Sequence, residues 1–316
     1  RQPVEVYRTQ RRGGRGISGV ARKDEDFVED MFITSTHDYV LFFTNRGKMY
    51  RMKGYEIPET GRAARGSHVV NLLPIEKDEK ISAMIRVDEV ENDSYLVMVT
   101  RNGTIKRTAL SAYRNVRKGG IIAINLEEGD ELAWVRNTTG EDDLIIATRQ
   151  GVAIRFAESD VRPMGRAAVG VRGIRLREGD YVVGAARARE GKSVLTITEK
   201  GYGKRTPVEE YRITNRGGLG IKNYQITDKT GKIVGVKVVD GTEDLLLMTQ
   251  SGILIRTPVE NIKETANRAT QGVIVMRFKE EGDQVISMAL AEHEDTEEAE
   301  VSAEISANEE NSTTET

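Results

Sequence analysis

Cysteine is absent, so the chain can form neither disulfides nor thiolate-bound zinc sites. Histidine occurs three times, at His37, His68 and His293, without metal-ligand spacing, and these read as surface or packing residues. Aromatic residues make up 5% of the chain, which leaves few platforms on which single-stranded bases could stack. No apolar run approaches the roughly 18 residues of a membrane-spanning helix. The longest are strand-like pieces such as Tyr95-Leu96-Val97-Met98-Val99. There is no GxxxxGKS/T phosphate loop and no nucleophile–base or carboxylate–metal constellation. The chain therefore carries no catalytic group, metal or cofactor that its sequence reveals. Residue 1 is Arg with no apolar leader after it, so the chain reads as part of a longer, cytoplasmic polypeptide.

What is present is charge, unevenly spread. The net charge of -3 averages two regions. Residues 292–316 hold ten of the 50 acids and no Lys or Arg; the other 40 face 47 basic residues, a body of about +7. A basic body with an acidic tail points to a polyanionic partner. The tail reads as a solvated, disordered end that is also able to compete for the basic surface.

A second pattern is periodic. An apolar strand, Thr-x-x-Gly, three residues and then Arg occur five times: Thr44 to Arg51, Thr100 to Arg107, Thr148 to Arg155, Thr198 to Arg205 and Thr249 to Arg256. Each reads as a β-hairpin whose glycine takes the φ > 0 position of a short turn. The arginines are 56, 48, 50 and 51 residues apart. Arg1-Gln2-Pro3-Val4 matches Arg205-Thr206-Pro207-Val208, which places a sixth repeat at the start of the chain with its opening strand upstream of residue 1. Six repeats of about 50 residues, each of about four strands, predict an all-β, propeller-like ring or spiral of six blades over residues 1–291, followed by the tail at 292–316.

Counting 11 residues from each hairpin arginine (12 in the last repeat) reaches a base every time: Arg12, Arg62, Lys118, Arg166, Arg216 and Arg268. Neighbours Arg65 and Arg117 add to this set. The most basic loop is the first, Gln10-Arg11-Arg12-Gly13-Gly14-Arg15-Gly16. Its glycines allow a tight turn and close approach, and its guanidiniums offer forks of donors that suit phosphate oxygens. Where Arg15 stands, later repeats have Ile121, Val169, Leu219 or Gln271. Equivalent bases in successive repeats fall on one surface, where they can follow a bent polyanion. No base-reading helix is evident, so binding is expected to be electrostatic, weakly sequence-specific and salt-sensitive. Six phosphate contacts would give a log–log salt slope of roughly -5. Tyr7, Tyr113 and Tyr211, five residues before the loop base, read as blade-packing rather than base-stacking residues.

The seven residues Gln10 to Gly16, set within such repeats, resemble the GyrA box of the C-terminal domain of the bacterial DNA gyrase A protein, intact at every position. The resemblance covers residues 1 to about 290. It implies a six-bladed β-pinwheel that wraps duplex DNA around its rim with a fixed hand. It also implies a monomeric, non-catalytic part of an A2B2 enzyme: the rest of the gyrase A protein breaks and rejoins DNA, and the gyrase B protein handles ATP. Wrapping would then let an ATP-dependent type II topoisomerase introduce negative supercoils, with the box required and the acidic tail modulating. The C-terminal domain of topoisomerase IV is similar but has fewer blades and a degenerate box. A propeller serving as a protein-interaction scaffold would need no base in every blade.

Overall fold

The computed structural model describes residues 17–18, 37–60, 67–87, 93–189 and 192–293. They form an all-β propeller of five four-stranded antiparallel sheets. Strand β1 (Ile17–Ser18) is followed by β2 (Tyr39–Thr44), β3 (Lys48–Lys53) and β4 (Ile81–Val87) of the first complete repeat. Next come β5 (Tyr95–Thr100), β6 (Thr104–Ala109), β7 (Ile121–Ile122) and β8 (Leu132–Thr138). The third group is β9 (Asp143–Thr148), β10 (Val152–Ala157), β11 (Val171–Arg172) and β12 (Val182–Ala188). The fourth is β13 (Ser193–Thr198), β14 (Tyr202–Pro207), β15 (Ile221–Lys222) and β16 (Ile233–Val239). The fifth is β17 (Glu243–Thr249), β18 (Ile253–Pro258), β19 (Val273–Ile274) and β20 (Val285–Glu292).

Each expected hairpin is present, and its sequence signature has a structural reason. The Thr of Thr-x-x-Gly is buried, and its Oγ1 accepts the amide four residues on, as from Thr104 to Thr100 at 3.1 Å and from Tyr202 to Thr198 at 3.1 Å. Gly201 has φ +84, and a Cβ there would lie 2.5 Å from the Met276 carbonyl oxygen, so that turn admits only glycine. The Gly-Asp turns serve the same hairpins: Asp130 accepts the Asn102 amide and Asp180 the Gln150 amide. The first hairpin strands read as continuous apolar runs because both faces are covered. Leu96 and Met98 pack toward Leu41, Phe43 and Met49 of the first sheet. Val97 and Val99 pack toward Ile146 and Phe156 of the third.

Two sequence expectations are corrected. Five sheets, not six, are formed by the described residues, and of residues 1–35 only Ile17 and Ser18 are described. Nor is a blade built from one repeat. The short strand after each polar loop leaves its own repeat and adds to the sheet before it. Thus β7 pairs with β3, β11 with β6, β15 with β10 and β19 with β14. In the fifth sheet the same outer place is filled by β1, with Ile17 opposite Leu254. A two-residue strand has too little local signal to reveal its partner, which is why the exchange is not legible from propensity.

The loop that leads into each exchanged strand is fixed to the preceding sheet. Met164, Thr214 and Thr265 donate amides to the carbonyls of Arg107, Arg155 and Arg205 at 2.7, 2.8 and 2.8 Å. Those hairpin arginines return the contact. Arg107 Nε donates to Val161 O at 2.7 Å, Arg205 Nε to Ile262 O at 2.7 Å, and Arg155 Nη1 to Val208 O and Tyr211 O at 3.1 and 3.2 Å. Arg51 Nη1 reaches Arg114 O at 3.3 Å. Beneath two loops lie buried lysines. Lys106 Nζ donates to the carbonyls of Ala123 and Arg166, and Lys204 Nζ to that of Arg268. Burial, with a smaller push from the Arg166 guanidinium, lowers the Lys106 pKa to about 8. Burial and Arg268 lower that of Lys204 to about 7.

These anchors make two predictions. An unfolded lysine keeps its proton to about pH 10.5, so between about pH 7 and 10 the unfolded chain binds more protons than the folded one. Stability therefore rises with pH across that window. Above about pH 10 the sign reverses, because burial raises the pKa of Tyr113, Tyr211 and Tyr224 and only the unfolded chain loses those protons. Denaturant titrations from pH 7 to 10 should show this rise in the wild type and a flatter profile in Lys106→Met/Lys204→Met; equal slopes would refute it. Gly201→Ala should cost about 2–3 kcal/mol, combining left-handed strain with the Met276 clash. Gly129→Ala has equal φ strain but open space around it, and should cost about 1 kcal/mol.

Candidate nucleic-acid interface

The loop bases sit where one repeat leans on the next. Arg166, Arg216 and Arg268 are half-buried, two residues or more beyond the amides that tie their loops to the preceding sheet. Arg216 Nη1 donates to Arg172 O at 2.6 Å and its Nε to Asp160 O at 3.2 Å. Arg268 Nη1 donates to Lys222 O at 3.0 Å. Each of these two guanidiniums thus lies on the backbone of the exchanged strand before it, beside another exposed base, Arg172 or Lys222. None of Arg117, Lys118, Arg166, Arg216 and Arg268 forms an ion pair with an acid among the described residues. The segments that carry them are nearly free of acids. Residues 113–126, 161–177 and 211–227 contain none, and 262–278 contain only Glu264. Like charges held together without acids are unfavourable unless an external anion completes them.

Lys118 is placed differently from the count. The loop from Arg107 to Gly120 is two residues shorter than those from Arg155 to Gly170 and Arg205 to Gly220, and these glycines immediately precede the exchanged strands. Aligned on that glycine, Lys118 stands where Ala168 and Gly218 do, and Ile121 belongs to β7 rather than to the position of Arg15. Lys118 and Arg117 are nonetheless exposed on the same loop. Gln10, Arg11, Arg12, Gly13, Gly14, Arg15, Gly16, Arg62 and Arg65 lie outside the described residues. In sequence the box runs directly into β1, the strand that joins the fifth sheet.

A second series of bases goes beyond the sequence reading. Arg114, Arg162, Arg212 and Lys263 lie seven residues after the hairpin arginines, all exposed. Each follows a buried residue at a 3-10 turn: Tyr113, Val161, Tyr211 or Ile262. Three of those buried residues accept hydrogen bonds from the hairpin arginines, so the bases are anchored at the seam. The signal is available in the period itself: Arg8 holds the same place and only Pro58 breaks the series. Tyr113 and Tyr211 are buried, as expected; their hydroxyls bond Ala123 O (2.8 Å) and Asn223 Oδ1. His293 is more than a packing residue, since its Nδ1 lies 2.7 Å from the buried Asp244, which also pairs with Arg256.

The inner strands surround a cavity of about 560 Å³. Two of its cations meet acids, Arg101 with Glu131 at 3.2 Å and Arg149 with Glu199 at 3.0 Å, and Lys80, Arg136 and Lys237 also line it. Among the described residues no three His, Asp or Glu side chains converge to hold a metal, and no helix is long and apolar enough to cross a membrane.

Known proteins share this geometry. The family described as DNA gyrase C-terminal domain, beta-propeller, matches residues 1–35, 38–88, 94–139, 142–189, 192–240 and 243–292. The DNA gyrase A protein of Staphylococcus epidermidis is 49% identical over 298 residues, covering 93% of this chain and 33% of that protein. The DNA gyrase A protein of Staphylococcus aureus is 48% identical over 300 residues, covering 94% and 34%. The chain thus spans about a third of the length of these relatives. Among solved structures, a DNA gyrase A C-terminal domain superposes with TM-score 0.80 at 26% identity, covering 91% of this chain and 94% of that one. The C-terminal domain of a DNA topoisomerase IV superposes with TM-score 0.73 at 31% identity, covering 90% and 88%. With six segments matched by the family and near-half identity to gyrase A proteins along almost its whole length, this chain belongs to the DNA gyrase C-terminal domain family.

Proposed function

We propose that this chain binds duplex DNA without sequence specificity on the rim formed by its loops and exchanged strands, and wraps it with a fixed hand. The observation that supports this best is the row of bases in nearly acid-free segments, repeated from seam to seam. Two series share each loop. Arg162 and Arg166, or Arg212 and Arg216, are four residues apart and so at most about 14 Å along the backbone. That separation suits phosphates on either side of a DNA groove, about 6 Å wide for the minor and about 12 Å for the major. Sharp bending of the duplex costs on the order of several kcal/mol, which spread phosphate contacts can offset, much as on a histone surface.

In this reading Gln10 to Gly16, with bases at three of seven positions, is the strongest anchor, and Arg62, Arg65, Arg117, Lys118, Arg166, Arg216 and Arg268 continue the path. The wrapping domain, expected to end at residue 291, extends through Glu292 of β20 and His293, and 294–316 are a tail that competes with DNA for the rim. By its kinship the chain works as part of the DNA gyrase A protein, together with the gyrase B protein, in ATP-dependent negative supercoiling at the bacterial nucleoid. Topoisomerase IV stays the second reading, on the strength of the 31% identical structure.

Titration of a linear duplex at several salt concentrations tests the binding surface. Each lost phosphate contact should reduce the log–log salt slope by about 0.9. Replacing Arg114, Arg162, Arg212 and Lys263 together by Ala should therefore reduce it by about 3.6 while the fold persists. Removal of residues 294–316 should tighten binding at low salt. An unchanged slope would remove the second series from the interface, and unchanged affinity after truncation would leave the tail no competing role.

A further inference from the structure

The basic rim carries an apolar point that electrostatics alone does not use. Leu219 is 47% exposed and Ile213 59% exposed. Both lie in the acid-free segment 211–227, with Arg212, Arg216 and Lys222 around them. Leu219 occupies the loop place that Arg15 holds in the box. Its backbone is not free to retreat. The next residue, Gly220, has φ +77, and a Cβ there would lie 2.6 Å from the Ala153 carbonyl oxygen, so the loop is pressed onto β10. On the other side Arg216 is tied to Arg172 O. Leu219 also walls a cavity of about 370 Å³ between the loop and β10. An isolated exposed Leu is ordinary. One held beside the tied-down Gly220, at the place where the box carries a guanidinium, stands among the bases of the same segment.

We propose that Leu219 is an apolar wedge that enters the minor groove of the bound duplex and eases its bend at this seam. This rests on the DNA-binding reading above. The surrounding bases fix the occupant as a polyanion rather than an apolar partner surface. Apolar side chains at a minor groove part neighbouring base steps and kink the helix, and pyrimidine–purine steps yield most readily. Leu219 therefore gives an otherwise indifferent surface a preference for deformable steps. Position 119 has Gly, position 169 has Val, half-buried, and position 271 has Gln, so the wedge is strongest at one of the four described seams.

The test uses the 316-residue chain and two end-labelled duplexes of equal length, one with TA steps phased at about one helical turn and one without, read by affinity and by end-to-end energy transfer. The wild type should prefer the phased duplex by at least about threefold and bring its ends closer. Leu219→Ala should lose that preference with its salt slope unchanged. Leu219→Arg should raise affinity for both duplexes equally. A Leu219→Ala protein that keeps the preference overturns the wedge, and so does one whose salt slope falls with it. Wild-type binding without step preference overturns the wedge alone; no wild-type binding to either duplex overturns the DNA-binding reading as well.

Discussion

The two-residue strand that each repeat lends to the sheet before it is the contact on which the rest depends. It forces the polar loop ahead of it to cross the seam between neighbouring sheets. There the loop amides bond the hairpin strand of the preceding repeat, and the hairpin arginine bonds the carbonyls of the turn that opens the loop. A loop that would otherwise be a mobile surface connection becomes a fixed ledge, supported from beneath at two seams by Lys106 and Lys204. The bases on these ledges are placed by the backbone and not by acids. That leaves their charge available to an external anion.

The same contact separates two kinds of arginine that composition cannot distinguish. Arg107, Arg155, Arg205 and Arg256 are largely buried and pair with carbonyls or with Glu158, Asp143 and Asp244. Arg107, Arg155 and Arg205 join neighbouring blades, and Arg256 pairs with Asp244 within its own sheet. Arg216 and Arg268 sit on the outer backbone, and they and Arg166 meet no acid among the described residues. Breaking a buried pair of the first kind strands a charge in the interior and costs several kcal/mol. Removing a base of the second kind should alter affinity and salt dependence and leave the fold in place.

Much of this is legible in the sequence because the hairpins repeat with a buried threonine and a positive-φ glycine at fixed offsets. Those local constraints belong to a single turn and survive in every copy. The exchange of β7, β11, β15 and β19 is not legible, because pairing across repeats depends on where the chain goes next. Lys118 shows the limit of counting along the chain: a two-residue deletion before Gly120 moves the base without moving the ledge. The series Arg114, Arg162, Arg212 and Lys263 is present in the period, but a base beside a tyrosine or a valine has no mark of exposure until the turn buries its neighbour. In the sequence the hairpin arginines serve only as markers of the period; their burial shows why the period must contain them.

The wrapping proposed for the rim bends duplex DNA into a path of fixed hand. It is tested most directly by closing nicked circular DNA with ligase in the presence of increasing amounts of the chain, then removing the protein and measuring the linking number. Wrapping of fixed hand gives a shift of one sign that grows with the amount of protein bound and disappears at high salt. Circles whose linking number matches the protein-free control, at concentrations where binding is complete, would contradict it.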